Sequence, residues 1–221
     1  MARIRKGILG GVSGKVGNVV GGSWKGVDYL RSLPSEVQNT NTILQQNQRA
    51  KFRVLIEFLR PMKELIRIGF KPDAGRMTAF NAAMSYNYHR ALTGDLDSGF
   101  AVAYSEARLA LGELEPIMGL TAESAEATKL SLGWDDNSAA AGAASTDILY
   151  VAVYNPLKKL AVVRINAAVR ADGAVQLELP ASYSGDTVEV YAGFIAAEVL
   201  VGTATRERIA ESTYAGAILI A

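Results

Sequence analysis

A chain of 221 residues, 49% hydrophobic and 20% charged, is long enough to bury one large core or two small ones. It contains no apolar run near the roughly 18 residues that span a bilayer, and no cysteine, which excludes disulfides, thiolate metal sites and cysteine nucleophiles. The net charge of +1 hides a polarity: residues 1–94 carry 15 Lys/Arg against 5 Asp/Glu, and residues 95–221 carry 8 against 17. A basic half can meet nucleic acid, the acidic half of another copy, or the acidic half of its own chain. Nucleic acid is the least favoured of the three partners.

The first zone, residues 1–41, opens "MARIRKGILGGVSGKVGNVVGGSWKG" and holds 8 of the 21 glycines before residue 27. A phosphate-binding P-loop needs G-x-x-x-x-G-K-[ST]. Gly14 and Lys15 supply the G-K, but Leu9 stands where the first glycine belongs and Val16 where the hydroxyl belongs. The dinucleotide fingerprint fails as well, because Gly11, Gly14 and Gly17 run in steps of three. No nucleotide or other cofactor is expected. Ile8 and Leu9 are cut off by Gly10 and Gly11, so no signal-peptide core forms, and the chain is expected to stay in the cytoplasm where it is made. Val16, Val19, Val20, Trp24, Tyr29 and Leu30, with glycines between them, suggest an extended arm or short strands that need another surface to pack on.

The second zone, residues 42–95, has a helical period. Thr42 and Gln45 are spaced as a capping box. Phe52, Leu55, Ile56, Leu59, Met62 and Ile66 then form one apolar stripe, with Arg49, Arg53, Arg60, Lys63 and Arg67 mostly off it. Pro61 should kink or restart the helix, and Gly69 should end it. A second helix is expected from Thr78, with Phe80, Met84, Tyr88 and Ala91 on one face. Together they predict a basic helical hairpin.

The third zone, residues 96–221, turns to period two. "ATKLSLGW", "DILYVAVYN", "LAVVRINAAV", "AVQLELP", "DTVEVYAGF" and "YAGAILI" are separated by turn clusters such as Asn155-Pro156 and Ser184-Gly185-Asp186. Six or seven short strands with no helical period between them predict an antiparallel β-sandwich. Trp134 and Tyr191, on an early and a late strand, are the candidate core aromatics of an immunoglobulin-like sandwich. Without cysteine, the fibronectin type is the better analogy. The fold class is therefore α+β, mainly β.

Chemistry is thinly supplied. His89 is the only histidine and lies beside Arg90, so any Ser-His-Asp arrangement would have to use it. Asp135, Asp136, Asn137 and Asp147 are the only Ca²⁺ candidates, and adjacent carboxylates do not match the alternating loop. A polar turn accounts for them as well. Glu113 and Glu115 lack the context of a glycosidase pair. The chain is expected not to be an enzyme, with no metal.

The stretches "SGKVGNVVGGSWKGVDYLRS", "QQNQRAKF", "TAFNAAMSYN", "WDDNS", "YNP" and "LPASYSGDTVEVYAGF" together resemble a bacterial family of about this length known only as a domain of unknown function. That resemblance implies no activity and no catalytic residues. More loosely, G-K-x-G, W-K-G, R-S-x-P and Q-x-x-Q-R-x-K-F are similar to the N-termini of phage-type structural proteins.

The functional expectation is a non-catalytic structural protein that self-associates or docks into a larger, virion-like particle. Its assembly arm uses Gly14, Lys15 and Gly17 for close backbone approach and Trp24 and Tyr29 as anchors. A carbohydrate- or peptide-binding sandwich is the alternative, and a nucleic-acid packaging protein the third.

Overall fold

The computed structural model describes residues 3–4, 12–24, 27–35, 41–75, 77–95, 98–200 and 205–221. The chain divides into two compact units, Met1–Ile43 and Leu44–Ala221.

In the first unit β1 (Arg3–Ile4), β2 (Val12–Val16), β3 (Val19–Trp24) and β4 (Val27–Ser32) form an antiparallel sheet in chain order. The glycines set its geometry. Gly17, at φ +54°, makes with Asn18 the two-residue turn between β2 and β3, where a Cβ would be penalised. Gly21 lies so close to β2 that an added Cβ would stand 2.0 Å from the Val12 carbonyl oxygen. The glycine-rich opening builds a meander.

The second unit begins with α1 (Ile43–Leu59), which starts directly after Thr42. Pro61 interrupts it with a 3₁₀ turn over Arg60–Met62, and the chain restarts as α2 (Lys63–Gly69). This is the break expected of a residue that lacks an N–H. Thr78 caps α3 (Ala79–Arg90), its side chain accepting from the Asn81 amide at 3.1 Å. A hairpin of β5 (Leu92–Asp95) and β6 (Gly99–Val102) follows. The expected boundary between residues 95 and 96 thus falls inside a hairpin, and helices and strands belong to one compact unit.

The remaining strands are β7 (Met118–Glu123), β8 (Lys129–Asp135), β9 (Ile148–Asn155), β10 (Leu160–Arg164), β11 (Ala174–Glu178), β12 (Thr187–Ile195) and β13 (Thr213–Leu219). They make a three-stranded sheet, β11-β8-β7, and a four-stranded sheet, β10-β9-β12-β13, with antiparallel pairing throughout. Leu130, Leu132 and Trp134 of the first sheet pack with Leu149, Val151, Val153, Val190 and Phe194 of the second. Three strands facing four in this order is a fibronectin-type sandwich.

The other face of the four-stranded sheet is buried as well. Alternate residues of β9 (Tyr150, Ala152 and Tyr154) point away from the sandwich and pack with Leu55, Phe58, Leu59, Met62 and Ile66 of the helical layer. Every residue of β9 and all but the first of β12 are buried. The unit therefore has three layers: helices, four-stranded sheet, three-stranded sheet.

This corrects one expectation. Trp134 lies in the sandwich core, edge-on to Phe194, with ring centroids 6.1 Å apart. Tyr191 is fully buried but belongs to the helix-facing core, 6.1 Å from Phe58. Period two is the reason: Val190 and Ala192 face Trp134's layer, so Tyr191 must face the opposite way.

Candidate interaction surface

The meander of the first unit exposes large apolar side chains. Strand alternation and register place Lys15, Val20, Trp24, Val27, Tyr29 and Arg31 on one face. Gly14, Val16, Val19, Gly21 and Leu30 lie on the other. Trp24 is 55% exposed, Tyr29 48% and Leu30 63%. Tyr29 is held by its cross-strand partner, because its ring occupies the space where a Gly22 Cβ would fall, 2.9 Å away. β4 is exposed at all six residues and, among the described residues, forms an edge of the sheet with β3 as its one neighbour. An unpaired strand edge with apolar side chains is a template for another strand. Gly14, Lys15 and Gly17 shape this surface from β2 and its turn, and Trp24 and Tyr29 are its protruding aromatics.

The motifs that carry the family resemblance serve elsewhere as joints. Asn87 of "MSYN" is buried; its amide donates to the carbonyls of Ala83 (2.9 Å) and Arg108 (2.8 Å), and its oxygen accepts from the Arg108 amide (2.8 Å). It ties α3 to the chain entering the sandwich. Asn155 of "YNP" donates to Asp186 of "SGDT" at 2.7 Å, and Lys158 pairs with the same carboxylate. The hydrogen bonds from Lys158 and Asn155 hold the Asp186 carboxyl below its usual range. Gln48 of "QQNQ" accepts from the Tyr88 hydroxyl at 2.7 Å, and Phe52 lies 5.5 Å from the Tyr88 ring.

The acidic loop after β8 does not converge on a cation. Asp147 is buried against the Arg170 guanidinium (3.1 Å) and accepts from the Ala144 amide (2.9 Å). Asn137 also accepts from Arg170. Asp136 accepts from the Ser138 amide at 3.0 Å, which lowers its pKa. Among the described residues no group of three His, Asp or Glu side chains gathers around one point. Arg170 carries no distinguishing sequence signal: Arg164, likewise set among apolar residues, is exposed. The Arg170 guanidinium lies 4.0 Å from the centre of the Phe194 ring.

Two open grooves score the helical layer. One, of about 640 Å³, lies between α1 and α3 and is lined by Phe52, Ile56, Met84, Tyr88 and His89. His89, the one histidine, is solvent-exposed at its rim. The other, of about 1050 Å³, is lined by Arg60, Lys63, Arg67 and Lys71 along with Phe80 and Ile165. Phe52 and Ile56, expected on the buried stripe, open instead toward the first groove, because the stripe's centre runs through Leu55, Leu59, Met62 and Ile66.

No described helix is long and apolar enough to cross a membrane.

These features define a class: a helix-backed fibronectin-type sandwich preceded by an exposed β-meander. The chain belongs to a family of unknown function, DUF6266, whose model matches residues 11–216 and so takes in both units. No curated protein matches it. Among solved structures, the fn3 domain of human contactin 1 is similar at 10% identity, over 49% of this chain and 81% of that one, with a TM-score of 0.33.

Proposed function

We propose that this is a non-catalytic structural protein that associates with further copies of itself, in a larger virion-like particle, through its N-terminal meander. The observation that carries the reading is β4, among the described residues a six-residue edge strand about 20 Å long, exposed throughout and bearing Tyr29 on the face of Trp24 of β3 and Leu30 on the other. An edge of this kind is usually shielded by charge, proline or a covering element. In β4 the charges are Asp28 and Arg31, and no proline interrupts it. Strand addition would give affinity through main-chain hydrogen bonds, and the aromatic side chains would supply the anchors.

The test is mass by light scattering across a concentration series. The full-length chain should form a defined oligomer, and a Trp24→Ser/Tyr29→Ser/Leu30→Ser variant should be monomeric with unchanged circular dichroism. An oligomer of unchanged mass in the variant rejects the arm as the contact.

A further inference from the structure

Pairing between the two halves leaves part of the basic half without carboxylate partners among the described residues. Among the described residues, Lys159 pairs with Glu57 and Arg206 with Asp73 across the boundary between residues 1–94 and residues 95–221. Both use the rare acids of the basic half and the rare bases of the acidic half. Arg60, Lys63, Arg67 and Lys71, by contrast, have no carboxylate within ion-pair distance among the described residues.

Lys63 and Arg67 stand one turn apart on α2, with Arg60 in the 3₁₀ turn before it and Lys71 just beyond its end, and the four form one basic ridge. It forms the wall of the 1050 Å³ groove, whose apolar side includes Phe80 and Ile165. Glu64 is the one carboxylate in the lining.

Part of the acidic half's carboxylate complement is already engaged within its own chain. Glu211 pairs with Arg108, Asp186 with Lys158, Asp147 with Arg170 and Glu198 with Arg208. Glu189 accepts from Tyr214. A ligand that brings its own regularly spaced anions fits better. Lys63 and Arg67 lie one helical turn apart, about 6 Å along the axis, close to the step between neighbouring phosphates of an extended strand. The half-buried Phe80 offers a surface for an unpaired base.

We propose that this groove binds single-stranded nucleic acid, with Arg60, Lys63, Arg67 and Lys71 on successive phosphates and the apolar side against the bases. The inference is independent of the meander contact: it uses other residues, in the other unit.

The experiment is fluorescence anisotropy of the full-length chain with a labelled oligo-dT of about 16 nucleotides, at salt from about 50 to 200 mM. Four phosphate contacts give a log–log salt slope of about −2.8 for a single strand, so affinity should fall about fifty-fold across that range. Lys63→Glu/Arg67→Glu should weaken binding at least tenfold and flatten the slope by about 1.4. Lys129→Gln, on the outer sheet, should leave both unchanged. Lys63→Gln/Arg67→Gln serves as a milder pair if charge reversal impairs folding, and the wild-type slope is informative alone. Absence of saturable binding at the lowest salt overturns the proposal, as does equal binding by the groove variants. Tighter binding of an equal-length duplex, or equal binding of poly-glutamate, overturns the single-strand assignment.

Discussion

The indole Nε1 of Trp134 donates to the backbone carbonyl of Arg170 at 2.8 Å, linking the three-stranded sheet to the segment that carries the buried cation. The Arg170 side chain turns to Asp147 (3.1 Å) and donates to the Glu115 carbonyl at 2.9 Å. One aromatic and one ion pair therefore fix the end of the sandwich. Trp134→Ala should cost about 3–5 kcal/mol, the range for a buried aromatic, a large part of a domain's stability. Denaturant unfolding measures it; a shift within experimental error would show that the indole is dispensable to the core.

Asp147→Ala tests the partner charge. It leaves a fully buried guanidinium uncompensated, and removal of one member of a buried pair costs about 3–5 kcal/mol. The double change Asp147→Leu/Arg170→Met should recover much of that loss, since apolar replacement of a buried pair is often neutral. If the double variant is as unstable as the single one, the packing and hydrogen bonds of Arg170 outweigh its charge.

Across the other core, the Phe58 ring meets Tyr154 edge-on at 5.2 Å and Tyr191 at 6.1 Å. The Tyr191 hydroxyl donates to the Tyr104 carbonyl at 2.8 Å. Phe58→Ala should destabilise the whole second unit by about 3–5 kcal/mol, and Tyr191→Phe by about 1 kcal/mol for the lost hydrogen bond. A single cooperative transition in both variants is expected; separate melting of helices and sandwich would contradict the shared core.

How much of this was legible follows the physics of each signal. Helix limits at Thr42, Pro61 and Thr78 were readable because caps and proline act locally. The alternating runs around Leu132, Val190 and Val175 announced strands for the same reason. β7 was the least visible: "MGLTAE" has one β-branched residue and a register shift between Met118 and Thr121. The face of Tyr191 is not legible in the sequence, because two apolar layers on one sheet give a continuous run, and "ILYVAVYN" does not say which parity faces which layer. The run itself was a sign of burial on both faces. Of the interaction surface, Trp24 and Tyr29 were readable as aromatics in a segment too poor in apolar mass to bury them. The basic ridge was visible as charges off a stripe, but its lack of carboxylate partners depends on tertiary pairing.

Alkaline pH should unfold the second unit through its tyrosines. Burial is the main cause raising the phenols of Tyr104, Tyr150, Tyr154, Tyr191 and Tyr214, that of Tyr154 up to about 12. The folded state thus holds protons that the unfolded chain releases near pH 10. Their stabilisation is complete below that pH and is lost as pH rises through the folded values. Stability should be flat approaching pH 10 and fall steeply above it, with phenolate absorbance appearing together with loss of circular dichroism. Full ionisation with the fold retained would show that these rings are open to solvent.

Salt should separate the two proposed activities. Association through Trp24, Tyr29 and the β4 edge rests on apolar burial and main-chain hydrogen bonds, neither of which is screened. Raising salt to about 1 M shortens the Debye length to about 3 Å, which suppresses long-range steering but leaves these contacts intact. Oligomer mass should therefore persist at high salt while oligonucleotide binding disappears. The Trp24→Ser/Tyr29→Ser/Leu30→Ser chain should show the converse at low salt: monomeric, yet still binding oligonucleotide. Lys63→Glu/Arg67→Glu should remain oligomeric. Nuclease treatment before the light-scattering run removes nucleic acid as a bridge between copies. If the oligomer dissociates on that treatment, nucleic acid holds the copies together and the meander is not their contact. If the oligomer instead survives nuclease but dissociates in salt, charged surfaces form the interface and the apolar edge of β4 does not.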